Sequence, residues 1–298
     1  MFKFNTETFT DRFQKLEKTK QWLTSLGIQT AGTRFDEVLQ LNKELVEHHN
    51  NNQIDSLIKQ YGHLRLWAAL TEASSFNQVH YAFKNQKSHI SPRAKLKKML
   101  EGPYHSWDED VHEGNIEGRN TLFELESASI FKRAGVKIIG FDDVDFIFKR
   151  TKFNIQCKRL HSQKKIKDNI IEASNQFYKR MKSNSNLKGI ICLSVDKVIG
   201  IEEMVLKVKS PEEVRPKLVQ LSNSFLTSYR SFWHSLINPN VLAVMIFFHF
   251  IAIIEEEPYD LLTTCRDIAF DVIVQQNFIQ IMDHNLIVEL SKRLQTGE

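Results

Sequence analysis

Over roughly the first hundred residues, apolar positions recur at three- and four-residue steps through TETFTDRFQKLEKTKQWL, FDEVLQLNKELVEHH and IDSLIKQYGHLRLWAALTEA. That is the period of helices that bury one face. The spacing predicts a helical module over residues 1–105, with Leu16, Trp22, Leu23, Leu57, Leu64, Leu66 and Trp67 as its core stripes. Between about 101 and 118 the period is lost in EGPYHSWDEDVHEGNIEG, a stretch of turn formers and acids. A boundary with a second domain, 106–298, is expected there.

Beyond it the rhythm changes. GRNTLFELESASIFKRAG reads as a helix stopped by Gly135, and VKIIG, DVDFIF and KFNIQCK follow as three short β-rich runs. Ile170, Ala173, Phe177 and Met181 fall at i, i+3, i+7 and i+11, the signature of a helix laid on a sheet. GIICLSV, 189–195, is continuously apolar, as in a strand covered on both faces. The order αβββαβ follows, and its strand–helix–strand crossover implies parallel pairing in a mixed sheet. The fold class is therefore α/β. A helix from about 211 to 236, a strand at 241–254 and a closing helix from about 260 to 295 would extend the same domain.

The run VLAVMIFFHFIAII, with 14 residues and His249 inside it, is too short to span a bilayer and is expected as a buried strand, so no membrane partner is implied. Composition adds little to this picture. With 298 residues and 42% apolar content, the chain can build a real core, and a net charge of +4 is compatible with a polyanionic partner without identifying one. Cys157, Cys192 and Cys265 lie far apart with no CxxC pair, which argues against a disulfide framework or zinc ribbon and suits a reducing cytoplasm. The opening MFKFNTETFTDRF lacks the apolar stretch and cleavage site of a signal peptide and is read as part of the mature fold.

Several chemistries are unsupported. There is no GxxxxGK[ST] loop, no GxSxG elbow, no HExxH and no GxGxxG after a strand, so the chain brings no ATPase or helicase of its own. The eleven histidines show no ligand spacing; His48 and His49 are adjacent, His105 and His112 fall in a loop, and each is read as a surface or structural residue.

The strand alternation is more informative. In FDDVDFIF, Asp143, Asp145 and Ile147 share a face; in NIQCK, Asn154, Gln156 and Lys158 do. A hairpin through KRTK would lay the acidic face beside the Gln/Lys face. An acid, an amide oxygen and an ammonium on one patch suit phosphodiester hydrolysis. Mg²⁺ or Mn²⁺ would take oxygens from Asp145, from the Gln156 side chain and from the backbone carbonyl of Cys157, while Lys158 orients water and offsets transition-state charge. Asp142 reads as a turn residue, Asp143 equally as turn or site, and Gln156 and Lys158 would also suit the solvated face of an edge strand. From Lys149 to Lys167 there are eight Lys or Arg and no acid. Arg150, Lys152, Arg159, Lys164 and Lys165 flank the patch as candidate phosphate-backbone contacts, and the acidic stretch at 108–117 offers a shield for them when nucleic acid is absent.

DVDFIFKRTKFNIQCKR resembles the D-x(n)-(E/Q)-x-K core of the restriction-endonuclease-like, PD-(D/E)XK nuclease superfamily, and its QCKR ending is similar to the Mrr-like branch, where Gln replaces the usual acid. The resemblance covers about 118–197. It implies catalytic roles for Asp145, Gln156 and Lys158, and a fourth, metal-binding residue on the preceding helix. There Phe123-Glu124 resembles the family's FE position. Glu124 shares a helical face with Ala128 and Phe131 and is expected to turn toward the sheet, whereas Glu126, with Ser129 and Arg133, is expected to be more exposed. The expected activity is that of a Mg²⁺-dependent DNA endonuclease of restriction or anti-phage defence. The expected partners are double-stranded DNA, an ATPase or other defence-system subunit, or a second copy of the chain. The alternative is a nuclease fold kept as a nucleic-acid-binding or assembly scaffold; RNA cleavage would use the same site.

Overall fold

A computed structural model describes residues 7–85, 92–104, 108–109, 114–141, 143–199, 205–236, 240–254, 262–273 and 278–296. Among the described residues five helices come first: α1 (Phe9–Ser25), α2 (Arg34–Asn50), α3 (Ile54–Tyr61), α4 (His63–Phe83) and α5 (Arg93–Lys98). Thr8 starts α1 with a capping box, its side chain accepting from the Asp11 amide while Asp11 answers the Thr8 amide. Then come α6 (Glu117–Arg133), β1 (Lys137–Gly140), β2 (Val144–Phe148), β3 (Thr151–Arg159), α7 (Ile166–Met181), β4 (Lys188–Ser194), β5 (Val205–Val208), α8 (Val214–Leu236), β6 (Val241–Ile254), β7 (Leu262–Val272) and α9 (Phe278–Thr296). The protein is α/β, and the order expected from the apolar pattern is present from α6 to β4. Gly135, at φ 73, ends α6 in a left-handed turn that a β-carbon would strain.

The seven strands among the described residues form one mixed sheet, β1-β2-β3-β4-β6-β5, with β7 also paired to β6. β1, β2 and β3 are antiparallel neighbours, while β3, β4, β6 and β5 pair in parallel. β6 is the apolar run at 241–254, and its 14 residues take β4 along the first half and β5 along the second, with antiparallel β7 opposite. Among the described residues no helix is long and apolar enough to cross a membrane.

Two corrections concern this region. The closing helix begins only at Phe278, because LTTCRDIAFDV pairs with β6 residue for residue, and the short β5 had no sequence signal of its own. A third correction falls on the helical module: Leu64 is 45% exposed and leaves the core stripe that Leu66 and Trp67 enter.

Two apolar layers sandwich the sheet. One joins Leu16 and Leu23 of α1, Phe35 of α2 and Phe76 of α4 to Leu125 and Phe131 of α6 and to Phe146, Phe153 and Ile155 of the hairpin. The other joins Leu41, Leu57 and Leu70 to Ile170, Ala173 and Phe177 of α7, Ile191 and Leu193 of β4, and Trp233 of α8. Helices from the first hundred residues thus close both layers.

Glu126, expected on an open face, is only 2% exposed, as is the fate of nearly every residue of α6 from Thr121 to Phe131. The reason is that α6 lies against the sheet on one side and under α4 on the other, so its open stripe is narrow and runs through Glu117, Asn120 and Glu124 instead of Glu126. Its N-terminus is equally tight. A β-carbon on Gly118 would sit 2.0 Å from the carbonyl oxygen of Glu101 and 2.6 Å from its carbon. Backbone cannot yield as a side-chain tip does, so Gly118→Ala is expected to destabilise the fold by about 1–3 kcal/mol, read as a lower denaturant midpoint. An unchanged midpoint would contradict this close approach.

Candidate functional site

The β2–β3 hairpin closes through Lys149 and Arg150, both at positive φ (46 and 68), between Phe148 and its strand partner Thr151. Two left-handed residues are what a tight hairpin turn of matching twist requires. The turn fixes the register, which pairs Val144 with Ile155, Asp145 with Asn154 and Phe146 with Phe153. Alternation then sends Phe146, Phe153 and Ile155 into the layer beneath α6 and leaves Asp145, Asn154, Gln156 and Lys158 on the face toward α7.

On that face the side chains make a connected patch. Asn154 Nδ2 donates to Asp145 Oδ1 at 2.8 Å, and Gln156 Nε2 donates to Asp143 Oδ2 at 2.8 Å and to Asn154 Oδ1 at 2.6 Å. Both carboxylates meet one cation: Arg180 Nη2 lies 3.1 Å from Asp143 Oδ2 and Nη1 3.5 Å from Asp145 Oδ2. Asn154 and Gln156 are buried while the two acids and Arg180 are half-buried, so the patch opens outward from its amides. Lys158, 17% exposed, points the same way and reaches Glu172 of α7 at 2.8 Å.

Gln156 thus engages Asp143 rather than Asp145. Asp143, at φ 54, ends the β1–β2 turn and projects into the patch, so it serves as both turn residue and patch member. Asp142 lies outside the described residues.

Glu124 is on the helix that covers the opposite, apolar face and is bound to Lys95. Burial raises its carboxyl pKa, Lys95 opposes the rise, and the nearby charge of Asp143 adds to it. Glu124 and Asp143 therefore feel one another at the end of the sheet. A carboxyl whose folded pKa is raised stabilises the fold at low pH and loses that contribution as pH climbs through the folded value. Glu124→Gln is accordingly expected to compare better with the parent protein at about pH 8 than at about pH 4, in denaturation midpoints measured at both. The reverse ordering would place Glu124 in an environment that favours its charge.

The predicted basic contacts divide three ways. Arg150 and Lys152 are exposed at the hairpin turn, and Lys164 and Lys165 are exposed beyond the other end of β3. Arg159 is instead turned inward, its two Nη atoms 2.8 and 3.2 Å from the oxygens of Glu109. Glu109 belongs to the acidic stretch read as a shield; Asp110 and Glu113 of that stretch lie outside the described residues, as do His105 and His112.

For a divalent cation the donor set at the patch is two carboxylates and two side-chain amides, all hard oxygens. Cys157 lies on the other face of β3, where contact with Cys192 and then burial push its thiol up, so the patch itself offers oxygen donors. Among the described residues no three His, Cys, Asp or Glu side chains are gathered as a metal cluster. The positive charge held against both acids is a guanidinium, and the donor chemistry suits Mg²⁺ or Mn²⁺ in its place.

Sequence reasoning missed Arg180. It lies three residues after Phe177 in the last turn of α7, which has run back from the end of β3 to its start, so its place beside the acids is set by the crossover. It also missed Glu126, Asp196 and His249, which meet in the interior. His249 Nε2 is 3.1 Å from Glu126 Oε1 and Nδ1 is 3.3 Å from Asp196 Oδ2; the His249 amide donates to Asp196 Oδ1 at 2.7 Å. Side chains more than fifty residues apart, on α6, in the turn after β4 and on β6, carry no shared spacing that a sequence could display.

No family model matches the chain, and no curated protein matches it.

Proposed function

We propose that the chain is a metal-dependent endonuclease with a restriction-endonuclease-like core, hydrolysing phosphodiester bonds in double-stranded DNA. The observation that carries this reading is the gathering of Asp143, Asp145, Asn154, Gln156 and Lys158 on one face of a hairpin whose last strand crosses through α7 to a parallel neighbour. The element order α6-β1-β2-β3-α7-β4 supports the αβββαβ core of that type.

Asp143, Asp145 and Gln156 would hold Mg²⁺ or Mn²⁺, with the backbone carbonyl of Cys157 as a further oxygen ligand and the carboxylate of Glu124 as the one implied by the sequence resemblance. When bound, the cation supplies a polarised phosphate and a water of lowered pKa. Lys158 places an ammonium where negative charge grows on the phosphoryl oxygens and orients the attacking water. Asn154 holds Asp145 in position through its amide, and Arg180 yields to the cation or turns to the phosphate. Arg150 and Lys152 on one side, and Lys164 and Lys165 on the other, are spaced to follow a backbone across the hairpin. Restriction or anti-phage defence, alongside an ATPase or other defence-system subunit or a second copy of the chain, is the setting this reading implies.

One observation favours a second reading, a nucleic-acid-binding scaffold without catalysis: Gln156 turns its NH₂ to Asp143 while Arg180 answers both acids, an arrangement complete without a metal. The two separate in one experiment. Supercoiled plasmid and a folded RNA are incubated with the protein in Mg²⁺, Mn²⁺ or EDTA. Metal-dependent plasmid nicking supports the endonuclease; cleavage of RNA alone reassigns the substrate; no cleavage of either sinks the enzymatic reading.

A further inference from the structure

Beyond the hairpin patch, at the far end of β3, three cations converge on one carboxylate. Glu109 Oε1 accepts from Arg159 at 2.8 Å, Oε2 accepts from Lys197 at 2.6 Å and from the second Arg159 nitrogen at 3.2 Å, and Arg119 Nη1 stands 3.5 Å away. The Glu109 side chain is wholly buried, Arg119 is 5% exposed and Arg159 12%. Behind Arg119, Glu72 pairs with both Arg119 and Arg34. Among the described residues, Arg34, Arg119, Arg159 and Lys197 thus gather around the carboxylates of Glu72 and Glu109. His161 beside them adds no charge at neutral pH: burial, then Arg159 and Lys197, press its pKa down to about 4.

Holding several buried cations together is costly unless anionic oxygens answer each of them. Glu109 leaves one short: Arg119 Nη1 is buried, faces it at 3.5 Å and makes no hydrogen bond. A carboxylate offers two oxygens to this ring; a phosphate offers more, in a geometry that arginine forks match.

We propose that Arg119, Arg159 and Lys197 form a phosphate-binding site for a nucleic-acid strand, in which the Glu109 carboxylate is an internal stand-in that the phosphate replaces. The inference rests on the proposed nuclease reading only for the identity of the polyanion. Arg159 follows Lys158 at the end of β3 but points to the opposite face, so a strand whose phosphate sat here would reach the patch only around the end of the sheet.

The test is binding in EDTA, so that a failure of cleavage cannot be mistaken for a failure of this site. A fluorescein-labelled DNA duplex is titrated by anisotropy against the parent protein, Glu109→Gln, Glu109→Ala and the exposed control Glu17→Gln, which makes the same change in net charge. Both Glu109 variants are expected to bind at least about tenfold tighter than the control, and Arg159→Gln added to Glu109→Gln is expected to abolish the gain. Inorganic phosphate, titrated in parallel, is expected to raise the melting temperature of Glu109→Gln more than that of the control. Stabilisation by phosphate without tighter DNA binding would keep the phosphate site and reassign its source to small phosphates. Affinity and phosphate response equal to the control in a folded Glu109→Gln protein would overturn the proposal and leave the cluster a fastening of the fold; so would a gain that survives loss of Arg159.

Discussion

Lys158→Ala is expected to lower metal-dependent plasmid cleavage by at least about 100-fold while leaving the melting temperature almost unchanged. The contrast comes from the two environments the ammonium would have. In the resting protein its partner is Glu172, a carboxylate 57% exposed on α7, and pairs so open to water contribute under about 1 kcal/mol. In the transition state the same ammonium would face charge growing on phosphoryl oxygens in a site walled by buried Asn154 and Gln156, where a fixed donor contributes far more. Asp143→Asn and Asp145→Asn should fall with it, since both acids answer a single cation position at Arg180. Rates from nicking time courses, with melting curves on the same samples, provide the check. Cleavage within a few-fold of the parent for Lys158→Ala would remove Lys158 from the chemistry.

The second large effect is on stability, at His249. Burial opposes its charge, but Glu126 and Asp196 overcome that and hold the imidazolium to a pKa of about 10. Its folded pKa is raised above its unfolded one, so the contribution is fully present below the ordinary histidine value of 6.5 and is lost as pH rises through about 10. The denaturant midpoint of the parent protein should therefore decline between about pH 7 and pH 10, and His249→Gln should show a flatter profile. Glu126→Ala removes one of the two carboxylates that hold the imidazolium, leaving Asp196 with it, and is expected to cost about 1–3 kcal/mol. A parent profile as flat as that of His249→Gln would show that the imidazole is neutral in the fold.

What the chain reveals in advance depends on how local the cause is. The hairpin was legible because its determinants are neighbours: a four-residue turn, alternation on either side and the apolar partners Phe146 and Phe153, whose rings stack 4.9 Å apart. The helix α7 was legible because one face repeats Ile170, Ala173 and Phe177 against the sheet. LTTCRDIAFDV was mistaken for helix because strand status there comes from β6, a partner the segment itself does not describe. Glu126 was misjudged for the same kind of reason, since α4 covers it from across the chain. At the candidate site, the faces of Asp145, Gln156 and Lys158 followed from period two, but the pairing of Gln156 with Asp143 depended on register, and Arg180 on a crossover that only tertiary structure closes.

The length of β6 bears on how the molecule is made. This strand is hydrogen-bonded to three others and lies after residue 240, so a ribosome has already released the hairpin, α7 and β4 before the sheet's spine emerges. Until β6 pairs, the edge of β4 at Ile190 to Leu193 has no strand neighbour of its own. The helices of the first hundred residues close both faces of the sheet and are synthesised ahead of it, so the faces have their cover at hand while that edge waits for β6.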